Sequence, residues 1–187
     1  MNYDISTFSR PIKKPVIWKD IRMMIFDCDG VITDGKIVYA GEMLESKSFD
    51  AHDGMGFFLL NRAGLIPAVI TGRSSKALSR RCADLKIPHV LQGIKRKLES
   101  AEELLSKLGL NFSQVIYMGD DWNDIPVMQR AALSCCPADA MPEIKNITDF
   151  IATRNGGQGA ARECIDYVLK NIGIYEKTVL QYLQDIS

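Results

Sequence analysis

Arg22-Met23-Met24-Ile25-Phe26-Asp27-Cys28-Asp29-Gly30-Val31-Ile32-Thr33-Asp34 is the stretch that decides the fold. An apolar run, Met23 to Phe26, ends in two carboxylates one residue apart and then a glycine. That pattern predicts a buried strand delivering acids to its carboxyl end, where open α/β sheets keep their ligands. A carboxylate so placed can attack phosphorus once a divalent cation screens its repulsion from the phosphoryl group, leaving an aspartyl-phosphate. Asp27 is the candidate nucleophile. Asp29, two residues on, is the candidate general acid for the leaving oxygen, and then the base for the hydrolytic water. Taken alone, the pair is equally compatible with an Asp-Cys-Asp-Gly turn capping a strand end.

Working outward, the same motif of apolar strand and polar turn recurs. Leu65 to Ile70 runs into Thr71-Gly72-Arg73, and Val115 to Met118 runs into Gly119-Asp120-Asp121. Helical patterns are expected within Asp53 to Ala63 after its two glycines, Gly54 and Gly56, from about Ser75 to Leu85, and from about Lys95 to Leu108, with Gly109 as a stop. A short strand is expected at His89 to Leu91. Asn123 or Asp124 is expected to cap the next helix, with Pro126 in its first turn. Thr153 to Arg162 reads as a glycine-rich loop opening a helix to about Lys170, followed by a last helix from about Tyr175 to Leu183. Its position near the chain end does not match a dinucleotide fingerprint. This alternation predicts an α/β fold, a doubly wound parallel sheet of Rossmann-like type. Lys36 to Ala40 and Met43 to Phe49 flank Gly41-Glu42 as a β-hairpin of about 36–49 inserted after strand one. Such a hairpin needs a partner surface, as a small lid or as an edge pairing with another subunit. Residues 1–20, broken by Pro11 and Pro15, are expected to be an arm, and 21–187 a single domain.

Three strands thus end in Asp27/Asp29, Thr71 and Asp120. Thr71 offers a hydroxyl, and Gly72 an open backbone N–H, to phosphate oxygens. Asp120, the Asp27 carboxylate and the Asp29 carbonyl form an all-oxygen set suited to Mg²⁺. Lys97 is the best placed cation to balance the transferring group, with Lys95 and Arg96 as competitors. Asp124 can hold that lysine or the metal's waters, and Asp121 and Asn123 share this outer layer.

Composition narrows the class. The chain has 187 residues, and its 23 basic and 23 acidic residues cancel, so no global field favours nucleic acid or an anionic membrane. Five cysteines without a Cys-x-x-Cys spacing suggest neither a disulfide framework nor a zinc site, and suit a reducing cytoplasm. No apolar run approaches the roughly 20 residues that span a bilayer. Trp122 and the pair Phe57-Phe58 read as packing residues.

In order and spacing, Asp27-Cys-Asp-Gly-Val-Ile-Thr-Asp, Ile70-Thr-Gly-Arg, Lys97 and Gly119-Asp-Asp-x-x-Asp124 resemble the four motifs of the haloacid dehalogenase-like phosphatases. The hairpin, His52-Asp-Gly-Met-Gly, Arg81-Cys-Ala and Gly156-Gly-Gln-Gly-Ala-Ala-Arg-Glu resemble the branch without a large cap domain, typified by 3-deoxy-D-manno-octulosonate 8-phosphate phosphatase. The resemblance implies a Mg²⁺-dependent phosphomonoesterase of lipopolysaccharide precursor synthesis and a homotetramer whose hairpins cover neighbouring sites. It further implies metal at Asp27, Asp29 and Asp120. Sugar-phosphate contacts are implied at Asp29, Asp50, Ala51, His52, Asp53, Gly54, Gly72, Arg73, Arg81 and Lys97. The family pattern usually has Asn at Asp50 and Arg at His52, Phe58 and Gln158. All four departures make the mouth less cationic, so a nonulosonate 9-phosphate or another sugar phosphate stands as an alternative substrate. The competing class is a non-catalytic oligomerisation module of the kind fused to sugar-nucleotide synthetases, although such modules typically lose motif carboxylates that this chain retains.

Overall fold

The computed structural model describes residues 15–39 and 45–187. The first fourteen residues of the expected arm, and the hairpin tip 40–44, lie outside them. Six parallel strands form the sheet: β1 (Met23–Phe26), β4 (Ile66–Ile70), β5 (His89–Leu91), β6 (Val115–Met118), β7 (Leu133–Cys136) and β8 (Phe150–Ile151), in the order β5-β4-β1-β6-β7-β8. β1 is central because all four of its side chains are apolar and both its edges are paired, to β4 and to β6. The chain winds outward through β4 and β5 and then returns to β6 on the other side of β1. That reversal opens a crevice at the strands' carboxyl ends. Register places Phe26 beside Val69 and Met118, so Asp27, Thr71 and Asp120 emerge along one rim.

Alternate β1 residues feed two cores. Met24 and Phe26 pack with α1 (Ala51–Arg62) and α6 (Ala160–Ile172), and the Phe26 and Phe57 rings meet edge-on at 4.9 Å. Met23 and Ile25 pack with α3 (Lys97–Leu108), α4 (Ile125–Met128) and α5 (Pro142–Ile147). Two further helices, α2 (Lys76–Asp84) and α7 (Tyr175–Asp185), complete the chain. The hairpin is present as β2 (Val38–Tyr39) paired antiparallel with β3 (Glu45–Ser46), and Val38 and Tyr39 are exposed.

One expectation needs correcting and another sharpening. α1 begins at Ala51, before its glycines rather than after them, because the Asp50 carboxylate accepts the His52 N–H at 2.6 Å and caps the helix. The two glycines are tolerated because α1 is crowded: a Cβ at Gly54 would lie 2.7 Å from the Arg81 guanidinium, and one at Gly56 would lie 3.1 Å from the Arg162 Cα. After β6, Asp124 does stand at the N-cap of α4, with Pro126 in the first turn, but its side chain makes no capping bond to that helix. The Asp121 side chain accepts the Trp122 N–H at 2.7 Å and starts a 3₁₀ turn, Trp122–Asp124, which runs into α4. β7 and β8 were not expected from the sequence.

Candidate active site

Asp27 is the first residue past β1, held by its N–H to the Met118 carbonyl at 2.9 Å, and it is nearly buried. Its Oδ2 lies 3.0 Å from Lys97 Nζ, while its Oδ1 is buried without a hydrogen-bond partner. Burial pushes the Asp27 pKa up to about 7; Asp124 adds to this by repulsion, and Lys97 opposes it. Lys97 opens α3 and its ammonium lies between Asp27 and Asp124. Burial works against its charge, but Asp124 and Asp27 outweigh burial and raise its pKa. Lys95 and Arg96 stand outside; Arg96 is exposed and pairs with Glu99 at 2.9 Å.

Asp124 is fully buried and fully used. Its Oδ1 accepts Lys97 Nζ at 2.7 Å and the Tyr117 hydroxyl at 2.5 Å, and its Oδ2 accepts the N–H groups of Asp120 at 3.1 Å and Asp121 at 3.3 Å. It is therefore the bracket that holds the lysine and shapes the turn carrying Asp120. Tyr117 went unnoticed in the sequence, since only its hydroxyl distinguishes it from a core residue. Asp120 has a buried Oδ1 without a partner, and burial, with Asp124 and Asp27 beside it, pushes its pKa up to about 8. Gly30 makes room: its φ is +84°, and a Cβ there would meet Asp120 Oδ2 at 2.1 Å.

Asp27, Asp120 and Asp124 bring ligand atoms within 4.8 Å of one another. Asp124 has spent its lone pairs, so Asp27 and Asp120 are left with orphaned, buried carboxylate oxygens. Oxygen-only donors of this charge fit Mg²⁺. The orphaned atoms, each costly if left unpaired, are satisfied by such an ion.

Thr71 is buried at the end of β4, its backbone fixed by its N–H to the Leu91 carbonyl and by the Ile94 N–H to its own carbonyl. Next to it, a Cβ on Gly72 would stand 3.9 Å from the Asn123 side-chain nitrogen, so Asn123 sits across from the Gly72 backbone. Asp29 is paired with Lys47, and its Oδ2 lies 4.0 Å from Arg73 Nε. Arg73 is itself held by Glu45 at 2.5 Å. Nothing in the sequence alone singles out Lys47 or Glu45.

The stretch 50–54 makes other commitments. His52 is exposed and meets Asp50 at 2.9 Å, and Ala51 is the exposed first residue of α1. Asp53 is buried, accepts the Arg162 N–H at 2.8 Å, and has its pKa pushed up to about 6 by burial. Arg81 donates to the Asp50 carbonyl at 3.0 Å, lies against Gly54, and stands over the Phe49 ring. The hydrogen bonds of this segment thus run to α2 and α6 rather than to the acidic cluster. The glycine-rich loop does reach the site: the Gly157 N–H donates to the Val31 carbonyl at 3.0 Å, and the Gly156 N–H donates to Asp139 at 2.9 Å.

A family profile for haloacid dehalogenase-like hydrolases matches residues 87–163. The 3-deoxy-D-manno-octulosonate 8-phosphate phosphatase KdsC of Escherichia coli (strain K12) is 39% identical over 167 residues, 88% of this chain and 89% of that protein. The chain belongs to the 3-deoxy-D-manno-octulosonate 8-phosphate phosphatase branch of the haloacid dehalogenase-like hydrolases. Among solved members of the branch, the Moraxella catarrhalis phosphatase, crystallised with magnesium, phosphate and a KDO molecule, superposes with a TM-score of 0.85. It is 34% identical and covers 88% of this chain and 95% of its own. The cobalt-bound Haemophilus influenzae phosphatase gives a TM-score of 0.82 at 34% identity, over 87% of this chain and 98% of its own. Among the described residues of this family member, no helix is long and apolar enough to cross a membrane.

Proposed function

We propose that this chain is a Mg²⁺-dependent phosphomonoesterase that hydrolyses 3-deoxy-D-manno-octulosonate 8-phosphate through an aspartyl-phosphate on Asp27. The observation that supports it most is the pair of orphaned, buried oxygens on Asp27 and Asp120 beside a buried lysine. Asp27 and Asp120 would hold Mg²⁺, which screens the charge between the Asp27 carboxylate and the phosphoryl group. Lys97 balances charge on the transferring oxygens, kept in place by Asp124. Thr71 and the Gly72 N–H take the phosphate's remaining oxygens. Asp29 gives the leaving oxygen its proton and recovers one from the water that cleaves the aspartyl-phosphate.

The test is kcat/KM on a panel of phosphorylated 2-keto sugar acids and neutral hexose phosphates. The octulosonate 8-phosphate should lead. A neutral hexose phosphate ahead of every keto acid by more than tenfold, about 1.4 kcal/mol of transition-state preference, would end the acidic-sugar reading and leave the phosphatase reading standing. A nonulosonate 9-phosphate at the head of the panel would instead trace to Asp50, His52, Phe58 and Gln158, of which Phe58 packs edge-on against Tyr182 at 5.2 Å.

We further read residues 21–187 as one phosphatase domain that works as a homotetramer. Support comes from the two-stranded hairpin, too small to stand alone, with Ile37, Val38 and Tyr39 exposed. Sedimentation at micromolar concentration should give four copies; a monomer would refute it. Five free, buried cysteines suit a cytoplasmic setting.

A further inference from the structure

Asp29 does not stand alone at the rim. Its Oδ1 accepts the Lys47 ammonium, with the Thr33 hydroxyl 3.5 Å away. Lys47 is almost wholly buried, with 2% of its side chain exposed, and its other anionic neighbour is Glu45 Oε1 at 3.0 Å. Glu45 in turn holds Arg73, whose Nε is 4.0 Å from Asp29 Oδ2. Glu45 opens β3 and Lys47 follows directly on its end, and the two side chains meet each other as well as Asp29 and Arg73. A buried ammonium between two carboxylates restricts both of them, because it would itself be left unpaired if they turned away.

We propose that Lys47 is a positioning residue for Asp29. It fixes Oδ1, so that Oδ2 is the oxygen that exchanges a proton with the leaving group. This rests on the phosphatase reading above, in which Asp29 is the acid. An oxygen that already accepts from an ammonium is a poor place for a proton, so the acid form carries it on Oδ2. As Asp27 forms its bond to phosphorus and the ester P–O bond breaks, that proton passes to the departing oxygen. The product is a neutral alcohol, and Asp29 is left as the carboxylate that Lys47 already pairs. The hairpin thereby becomes part of the reacting machinery as well as an edge for assembly.

The experiment separates this from a merely structural role by the leaving group. A p-nitrophenolate departs as a stable anion and needs no proton, whereas a sugar alkoxide does. Lys47→Met should lower kcat/KM for a sugar phosphate by about tenfold or more, a fraction of the 10²–10⁴ that general acids supply. For p-nitrophenyl phosphate the loss should stay below about threefold. Lys47→Gln, which removes the ammonium but keeps an N–H donor and leaves the Glu45–Arg73 pair in place, should shift the same ratio in the same direction by less. It decides the matter if Lys47→Met does not fold. Equal losses on both substrates in the variant that folds, or no loss on either, would overturn the proposal. A wild-type protein inactive on both substrates would instead overturn the phosphatase reading.

Discussion

In magnesium-free protein, raising the pH should weaken the fold, and Asp27→Asn should remove part of that weakness. Asp27 has a carboxyl pKa of 3.8 in the unfolded chain and about 7 in the fold. A carboxyl raised in this way keeps its proton longer in the fold. Stability is therefore full below the unfolded value, declines as pH rises, and levels off above the folded value. Between pH 5.5 and pH 8 the decline spans about 1.5 units, or about 2 kcal/mol from Asp27 at 1.36 kcal/mol per unit. Asp53, pushed up to about 6, works in the same direction and remains in the variant; Asp120, pushed up to about 8, also remains but loses the part that Asp27 contributes. The assay is thermal melting in chelator at both pH values. Wild type should lose roughly 4–8 °C more than Asp27→Asn between them, at 2–4 °C per kcal/mol for a domain of this size. Saturating Mg²⁺ at pH 8 should return the loss in wild type and much less in the variant, since the ion binds only the fold. Identical pH dependence in the two proteins would mean that burial and Asp124 do not raise the Asp27 pKa.

Lys97→Met leaves Asp27 and Asp124 facing each other without their cation; breaking a buried pair costs about 3–5 kcal/mol, so the melting temperature should fall and phosphatase activity should vanish. A variant that melts like wild type would mean the lysine is not the clamp its 2.7 Å and 3.0 Å contacts indicate. Gly156→Ala would place a Cβ 1.9 Å from the Gly30 carbonyl oxygen, so the acidic turn must shift. Turnover should drop by at least tenfold on any phosphate ester, since roughly 1 Å misplacements cost about 10²-fold; unaltered turnover would show that the loop merely covers the turn.

The site's skeleton was legible because apolar strands that break into acids or Thr-Gly leave a mark in sequence: Asp27, Thr71 and Asp120 stand where those breaks put them. Lys97 was preferred over Lys95 and Arg96 from its place at the start of the helical pattern, and it is the first residue of α3, buried, while Lys95 and Arg96 are exposed. Asp124 was expected to hold the lysine or the metal's waters; its four donors, one of them Tyr117, make the first role its own. No local pattern could show that, since the donors converge from three elements. The start of α1 was misplaced because Gly54 and Gly56 argue against a helix locally, whereas contact with Arg81 and α6 decides the matter. β7 gives little signal because Leu133-Ser-Cys-Cys holds no β-branched residue, and β8 because Phe150-Ile151 is only two residues long. Lys47 was invisible for another reason: its role exists only when the hairpin folds back onto the turn after β1.

The most direct measurement is mass spectrometry of acid-quenched protein after brief mixing with Mg²⁺ and 3-deoxy-D-manno-octulosonate 8-phosphate. One added phosphoryl group should appear on the peptide containing Asp27, absent in Asp27→Asn and decaying as free phosphate appears. Phosphate found on another residue, or full turnover by Asp27→Asn, would contradict the nucleophilic role of Asp27.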